Sequence, residues 1–424
     1  MKINLNQAKR FFIPLSLLIF LASSPLAYSA PANKTAQKAR PAHTNLRMKD
    51  ALLSAIKKHP MSKVGGAHRK IGAAYRSQAK ALFAGDPSYN VSYYTDQIDN
   101  NRGFREVQGS LDFPIWMKGQ KSARHNLANT IISGADTRLQ LLKWEISGEV
   151  LERAWALRIA QMEVEQARVQ QQSAKKLEAD VNRRVKAGEI ARSALILAQQ
   201  STAETSMAIQ KATSLENQAR ASWKAYTGFS QIPSDLIQQS KRKRPPHTNH
   251  PHEIASQARI AAARANRKNV SAQRRDNPTL SVYAKRDRGT DSDPFNNSVG
   301  VGVSVPFGTK TSSAPRLAEA NAAVVDVMAE EAEREREHEQ ETRQAELTVK
   351  AAAKALNIAR KQNQLAQNRF RLSKRAFELG ESDLFLLIRA REQADVQARA
   401  VKRSQLELSL SQARLNHILG AMPL

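Results

Sequence analysis

The stretch Ser298-Val-Gly-Val-Gly-Val-Ser-Val305, closed by Pro306, decides the fold of this chain. Valine occupies every second position, and serine or glycine occupies each position in between. A period of two with one apolar face is typical of a β-strand. A single hairpin is only marginally stable in water, so the chain has to supply further partners for this strand.

Three other segments alternate in the same way. They are 280–283, which the polar loop 286–295 joins to the valine stretch, and further upstream 89–95 and 107–114. We therefore predict two β-hairpins, at about 88–114 and about 279–306. Each hairpin needs neighbouring strands and an apolar surface against one face.

The two hairpins belong to a duplicated module. His59-Pro60 returns as His250-Pro251, 191 positions later, and Gly188-Glu189 returns as Gly380-Glu381, 192 positions later. A repeat of this length is a duplicated domain and not a short solenoid unit. The predicted boundaries are a first repeat at 44–240, a basic proline-rich linker at 241–249 and a second repeat at 250–424.

The rest of each repeat is helix-forming sequence, and the Ala-rich stretch 61–84 before the first hairpin is predicted to be one helix. The span 119–185 has no proline, and apolar residues such as Leu139, Leu142 and Ile146 recur in it at spacings of three and four. This stripe is narrow, as in a coiled coil. One helix over 118–187 would be about 105 Å long, and 314–379 is its counterpart. We predict a mostly α fold in which long helices pack as hairpins, with a small β contribution.

The N-terminus predicts export. Residues 1–29 combine a basic start, an apolar run and small residues at Ala27-Tyr-Ser29, which is the pattern of a cleaved signal peptide. Residues 30–43 are predicted to be a flexible leader. No later stretch is apolar over the roughly 18 residues that a membrane helix needs, so a membrane role would have to use strands.

Composition excludes several classes of chemistry. The chain has no cysteine, which excludes disulfides and thiol catalysis. The net charge of +27 suggests either a polyanionic partner or a solvated helical surface rich in Arg and Lys, and we favour the latter. Linker 241–249 has no interleaved aromatic residues, so we predict no nucleic-acid binding.

Candidate chemical sites are weak. His247, His250 and His252 lie close together and could bind zinc, but the nearby prolines indicate loose chain, and we predict no metal site. The run Glu330–Glu341 has the charge pattern of a solvated helix face. No glycine-rich phosphate loop follows a strand, and no nucleophile–base pair is visible. We predict that the protein is not an enzyme and has no cofactor.

Two amphipathic hairpins, each followed by a long helical hairpin with glycine at its turn, resemble the TolC superfamily, the outer-membrane channel-tunnels of tripartite efflux and type I secretion systems. The matching motifs are His59-Pro60, Pro87-Ser-Tyr-Asn-Val91, Val107–Pro114, Gly119–Arg124, Arg183–Glu189, Pro278–Val282, Val299–Gly308 and Phe377–Glu381. They span essentially the whole mature chain. Gly119–Arg124 and Arg183–Glu189 are most similar to the heavy-metal efflux (CzcC/CusC-like) branch.

The resemblance implies a homotrimer in the outer membrane, with four strands per chain in a shared twelve-stranded barrel. Strands survive in a bilayer only when a closed barrel satisfies every backbone group, so four strands alone are insufficient. Residues expected to face lipid are Val107, Leu111, Phe113, Val299, Val301, Val303 and Val305. The opposite face, with Glu106, Gln108, Asp112 and the serines of 298–304, would line water. Most of the chain would then cross the periplasm.

The same resemblance assigns roles at the far end of the helices. The glycine turns would contact a periplasmic adaptor (membrane fusion protein) that links the channel to an inner-membrane transporter; these contact residues are Val185, Gly188, Glu189, Leu379, Gly380 and Glu381. Members of the family carry acidic gate residues six and nine positions after the second glycine. Here those positions hold Leu386 and Arg389, with Asp383 nearby. An arginine ring would disfavour cations.

We therefore expect a passive trimeric exit duct of a tripartite efflux system, carrying metal ions or small toxic compounds. Three alternatives remain open: a type I secretion duct, a soluble periplasmic coiled-coil protein of structural or adaptor type, and a basic polyanion-binding helical protein. The hairpins discriminate among them, because a soluble coiled-coil protein has no use for two amphipathic strand pairs.

Overall fold

A computed structural model describes residues 46–240, 250–307 and 310–422. These residues belong to one unit, Asn45–Leu424. The predicted signal peptide 1–29, leader 30–43 and linker 241–249, which includes His247, lie outside the described residues.

Each repeat contributes a short helix, a hairpin and a pair of long helices. In the first repeat these are α1 (Met48–Lys58), a 3₁₀ turn (Pro60–Lys63), α2 (Val64–Lys80), β1 (Ser88–Thr95), β2 (Arg105–Pro114), α3 (Gln120–Lys186), α4 (Arg192–Thr227) and the short α5 (Leu236–Ser240). In the second they are α6 (Pro251–Ala272), β3 (Thr279–Arg288), β4 (Asn296–Ser304), α7 (Lys310–Glu378) and α8 (Leu384–Ile418). The described elements follow the same order in the two stretches: helix, two strands and two long helices.

The long helices have the predicted scale. α3 has 67 residues and α7 has 69, so each is about 100 Å long at roughly 1.5 Å per residue. Among the described helices, none combines the length and apolar character needed to cross a bilayer.

Helix packing follows one order near the sheet and another near the glycine turns. Near the sheet, α2 lies on α3, α3 on α6 and α6 on α7. Towards the turns, α4 lies on α3, α8 lies on both α3 and α4, and α7 lies on α8. α7 therefore stands at one end of each row, and α2 and α4 stand at the other end.

The largest apolar core lies where the two repeats meet around α1. Trp155 and Trp223 are fully buried, with Met48 and Leu52 of α1 and Leu410 of α8. The Trp223 indole donates to the Gln231 carbonyl at 3.0 Å, which satisfies its only donor. This core anchors α3, α4 and α8 to the N-terminal helix.

Three predicted boundaries differ from the structure. The helix expected over 61–84 ends at Lys80, because Phe83 packs on Phe113 with ring centroids 4.9 Å apart. The loop expected at 286–295 is strand as far as Arg288. The guanidiniums of Arg286 and Arg288 lie over the Phe295 ring at 4.5 and 4.9 Å, so these charged residues stay in the hairpin.

The third difference is at α7. It begins before the expected Ala314 and contains Pro315 near its N-terminal end, where proline costs a single ladder hydrogen bond.

Candidate functional site: the amphipathic sheet and the glycine turns

The four strands form one antiparallel sheet in the order β1-β2-β3-β4. Leu111 of β2 lies beside Val282 of β3, which lies beside Val301 of β4. Because side chains alternate along each strand, this register puts the valines of both repeats on one face. The apolar residues sharing that face are Tyr89, Val91, Tyr93, Val107, Leu111, Phe113, Leu280, Val282, Val299, Val301 and Val303.

This apolar face is largely uncovered. Val299, Val301 and Val303 are 86%, 68% and 63% exposed, and Tyr89 and Val91 are exposed to a similar degree. Contiguous apolar patches of this kind mark protein or membrane contacts. Phe113 and its β3 neighbour Leu280 are exceptions, since both are half-buried, with Phe113 packed against Phe83. Val305 is exposed but lies just beyond the end of β4.

The opposite face is polar and internally paired. Lys285 binds Glu106 across the β2–β3 pair at 2.8 Å, and the Ser281 hydroxyl donates to Asp112. The Tyr283 ring lies over Gly300, where a Cβ atom would come within 2.4 Å of it. Any larger residue at this position of the valine stretch would therefore have to displace the Tyr283 ring.

The sheet is open at both sides. In the described sheet, β1 pairs only with β2, and β4 pairs only with β3. Each outer strand therefore presents a row of backbone N–H and C=O groups without a strand partner. An open edge next to an exposed apolar face calls for further strands.

The glycine turns are built identically in the two repeats. Gly188 has φ +78° and Gly380 has φ +79°. The Glu189 N–H donates to the Arg184 carbonyl, and the Glu381 N–H donates to the Ala376 carbonyl, both at 2.9 Å. Together with a second bond from each glycine N–H to the carbonyl three residues earlier, this is a Schellman C-cap.

The two turns lie over one shared apolar cluster. Its buried members are Val181, Ala198, Phe377, Leu384, Leu387 and Ile388, from α3, α4, α7 and α8. Val185, one of the predicted contact residues, packs against this cluster and is half-buried. The other five, Gly188, Glu189, Leu379, Gly380 and Glu381, are exposed. The structure thus brings the two predicted contact segments to the same end of the molecule.

The three residues predicted to be gate-equivalent take different positions. The Asp383 carboxylate caps α8 by accepting from the Leu386 N–H at 2.9 Å. The Leu386 and Arg389 side chains are exposed. The Arg389 guanidinium lies 5.6 Å from the centre of the Phe385 ring. The exposed pair is one helical turn apart and shares a face of α8.

Sequence reasoning missed Arg391. Its side chain is only 4% exposed, donates to the Ser201 hydroxyl of α4 at 3.3 Å and lies 3.8 Å from Asp395. Burial lowers the pKa of Arg391 and raises that of Asp395. The signal was available, because Arg391 continues the apolar spacing of Leu384, Leu387 and Ala394. A charged residue in that stripe ties α8 to α4 near the turns.

The repeated His-Pro motif proves to be a helix cap. His59 Nδ1 accepts from the Met61 N–H at 3.3 Å, and His250 Nδ1 accepts from the His252 N–H at 3.1 Å. The expectation of loose chain around Pro251 is wrong for the described residues, because Pro251 is the first residue of α6. Within residues 46–240, 250–307 and 310–422, no three metal-ligating side chains converge on a point.

Helices at the ends of the rows carry exposed apolar residues. On α7 these include Val325 and the heptad-spaced Ile358, Leu365 and Leu372, and Leu379 follows directly after the helix ends. At the other end, Ile71 of α2 and Ile196 and Met207 of α4 are exposed. All charged side chains of α2 are basic, whereas the first half of α7 carries more acidic than basic residues, Glu319, Asp326 and Glu330 among them. The two ends are therefore partly complementary in charge.

No protein-family model matches this chain, and no curated protein matches it significantly. Solved structures do match its fold. The outer membrane protein VceC of Vibrio cholerae has 16% sequence identity and a TM-score of 0.67, covering 88% of this chain and 96% of that one. CusC, described in terms of transmembrane channel formation, has 13% identity and a TM-score of 0.67, covering 88% and 92%. The MtrE outer membrane channel of Neisseria gonorrhoeae has 14% identity and a TM-score of 0.64, covering 88% and 89%.

These identities are too low to establish more than a common fold. CusC is no more similar to this chain than VceC is, so the likeness to the heavy-metal branch is not distinguished. The predicted architecture, long helical hairpins with a small four-stranded sheet, is confirmed. The chain has the fold of the TolC-like outer-membrane channels.

Proposed function

We propose that this protein is the outer-membrane exit duct of a tripartite efflux system. It acts as a homotrimer, carries solutes passively from periplasm to exterior, and performs no chemistry of its own. A cleaved signal at 1–29 would deliver it across the inner membrane. The fold shared with outer-membrane channels supports this proposal.

One observation carries the proposal: an apolar sheet face that the described part of the chain leaves uncovered. Lipid contact would remove Val299, Val301 and Val303 from water, at a gain of roughly 25 cal/mol per Å² of apolar area. The paired Glu106–Lys285 face would then line an aqueous lumen. A soluble coiled-coil protein would gain nothing from this arrangement.

Closure requires other copies. Four strands leave two open edges, and known outer-membrane barrels begin at about eight strands, so at least two chains are needed. Three chains give the twelve strands expected from the resemblance. β1 follows α2 and β4 precedes α7, so the strand edges and the helix-row ends fall on matching sides.

The duplication supplies a template for the contact between copies. Within one chain, α6 lies on α3, where Ala258 and Ala262 line the same small groove as Thr130 and Ile131. By the repeat offsets, α2 is the counterpart of α6 and α7 is the counterpart of α3. We infer that α7 of one copy receives α2 of the next in the same manner. Repetition of this head-to-tail contact generates a ring.

The glycine turns are the proposed contact for a periplasmic adaptor, which would couple the duct to an inner-membrane transporter. Both turns are exposed at the same end of the helices, at Gly188 and Glu189 in the first repeat and at Gly380 and Glu381 in the second. Leu379 adds an exposed apolar side chain. The proposed cargo is small toxic compounds or metal ions. Arg389 favours the former, because an arginine ring at the narrowest point would disfavour cations.

Cell fractionation tests the duct. Expressing cells should yield the protein in the outer-membrane fraction, released only by detergent and migrating as a trimer. The matched comparison is a soluble periplasmic marker from the same cells, released by osmotic shock. Recovery of this protein with that marker, without detergent, would exclude the duct.

A further inference from the structure

Four histidines and a tryptophan form a continuous chain of rings where α3, α6, α7 and α8 meet. Trp144 stacks on His417 with centroids 4.6 Å apart and meets the edge of His250 at 5.1 Å. His338 of α7 lies 4.6 Å from His250 and 5.8 Å from His252. We call these five residues the imidazole joint. The joint connects the first repeat to three helices of the second.

The hydrogen bonds of His250 require its neutral form. Nδ1 accepts from the His252 backbone N–H, and Nε2 donates to the Ile418 carbonyl at 3.0 Å. A second proton, on Nδ1, would point at a backbone donor and would break the cap of α6. His417 is similarly engaged, because its Nε2 donates to the Trp144 carbonyl at 2.8 Å.

Charged groups from all four helices surround the joint. α6 contributes Glu253 and Arg259, and α7 contributes Glu331, Arg334, Glu335, Glu339, Arg343 and Glu346. α3 contributes Glu152 near His417, and α8 contributes Arg414, which pairs with Glu152. Glu331 is already held by Arg259 and Arg334. The α7 carboxylates line the same cavity as His250, His252 and His338. The ring centroids of His250 and His338 are 4.6 Å apart, so protons added to both rings would repel one another at short range.

A metal is not the natural occupant. Both ring nitrogens of His250 are used by backbone groups, and no three ligating side chains converge in the described part of the chain. The remaining chemistry open to these histidines is the uptake of protons.

We propose that the imidazole joint is a pH-sensitive contact between helices. When its histidines are neutral, it holds the start of α6 and the end of α8 against α3 and α7. Protonation of the histidines in mild acid releases these two helix ends. The release follows from a lost helix cap and from like charges about 5 Å apart. It is independent of whether the sheet meets lipid.

The direction of the pKa shifts agrees with this geometry. Burial, followed by the charge of His338, lowers the pKa of His250 to about 4. Burial also lowers the pKa values of His252 and His417. Because the open state has ordinary histidine pKa values near 6.5, it binds more protons than the closed state in mild acid. The stability of the closed joint is therefore complete above pH about 6.5 and, for His250, falls as the pH drops towards 4.

Hydrogen–deuterium exchange of the full-length protein in detergent tests the joint. After correction for the intrinsic pH dependence of exchange, we expect protection of amides 252–256 and 416–420 to fall about tenfold or more between pH 7.5 and pH 5.0, which is the effect of one unit of pKa displacement. Amides around Trp155 in the main core should keep their protection. Unchanged protection at 252–256 would overturn the proposal.

Two variants distinguish repulsion among the histidines of the joint from the loss of the α6 cap alone. His338→Gln removes one charge but leaves the cap of α6 and the burial of His250 intact, so the fall in protection should be smaller than in the parent protein but still present. His252→Gln should act in the same direction and serves if His338→Gln fails to fold. His125→Gln, at an exposed site on α3, should behave as the parent protein. A parent-like response from both joint variants would show that the cap alone senses acid and would refute the joint.

Discussion

Trp144 and His417 are bonded to each other twice. The Trp144 indole N–H donates to the His417 carbonyl at 2.8 Å, the His417 ring donates to the Trp144 carbonyl at 2.8 Å, and the rings stack with an interplanar angle of 6°. This reciprocal contact fastens the end of α8 to the middle of α3, residues 273 positions apart in sequence.

Trp144→Phe should weaken that fastening. The stack survives, but the His417 carbonyl loses its donor, at a cost of about 1 kcal/mol. Thermal unfolding of the purified protein should show a lower midpoint. Trp116→Phe is the matched control, because that indole donates to the Ala81 carbonyl at a more exposed site. An equal loss of stability in both variants would contradict the importance of the reciprocal contact.

Ile71→Cys combined with Ala322→Cys should cross-link neighbouring copies. The repeat offsets map Ile71 onto Ala262 and Ala322 onto Thr130, two positions that line one groove inside the chain. Because the protein has no native cysteine, oxidation should give covalent dimers and trimers on a denaturing gel.

Ile71→Cys combined with Leu347→Cys is the control for this cross-link. Leu347 lies 25 residues, or about 37 Å, further along α7 and should remain unlinked. Covalent dimers and trimers from both cysteine pairs, or from neither pair, would contradict the contact between α2 and α7 of adjacent copies.

Val301→Asp should impair insertion, whereas Ser304→Asp should be tolerated. The register puts Val301 on the apolar face and Ser304 on the polar face. A carboxylate facing lipid costs on the order of 2 kcal/mol, depending on depth. The yield of detergent-resistant trimer in outer-membrane fractions measures the difference. Equal yields would show that the two faces are wrongly assigned.

Gly380→Ala should destabilise the turn between α7 and α8 by about 1 kcal/mol, because its φ of +79° is unfavourable for a residue with a Cβ. No atom lies within 4 Å of the added methyl group, so the cost is purely conformational. Faster amide exchange at 377–384 is the expected readout. Gly134→Ala, also in open space but inside α3, should instead stabilise the protein slightly. Slower exchange in the Gly380 variant would contradict this account.

Sequence could predict the fold because its signals are local. The valine alternation of 298–305 and the spacing of Leu139, Leu142 and Ile146 each identify an element without knowledge of its partners. The polar end of β3 was missed for the opposite reason. Arg286 and Arg288 belong to a strand because they pair with Val107 and Arg105 of the distant β2, and Phe295 packs against their guanidiniums.

The imidazole joint could not be predicted from the sequence, because its residues are far apart along the chain. Trp144, His250, His338 and His417 come from four helices, and no local spacing relates them. The duplicated His-Pro dipeptide pointed to a shared structural role, but its cap function needed backbone geometry. Arg391 could have been found from the sequence, since it interrupts an apolar stripe.

The central pairing of the sheet has a consequence for biogenesis. β2 and β3 are joined across an intervening stretch that contains α3, α4 and α6, with Phe113 beside Leu280. Contacts so remote in sequence form late, because a large loop must close first. A newly exported subunit will therefore mature its helices before its strands. The four-stranded sheet, whose apolar face and open edges are prone to aggregation, then forms only after the helices that hold it next to neighbouring subunits are folded.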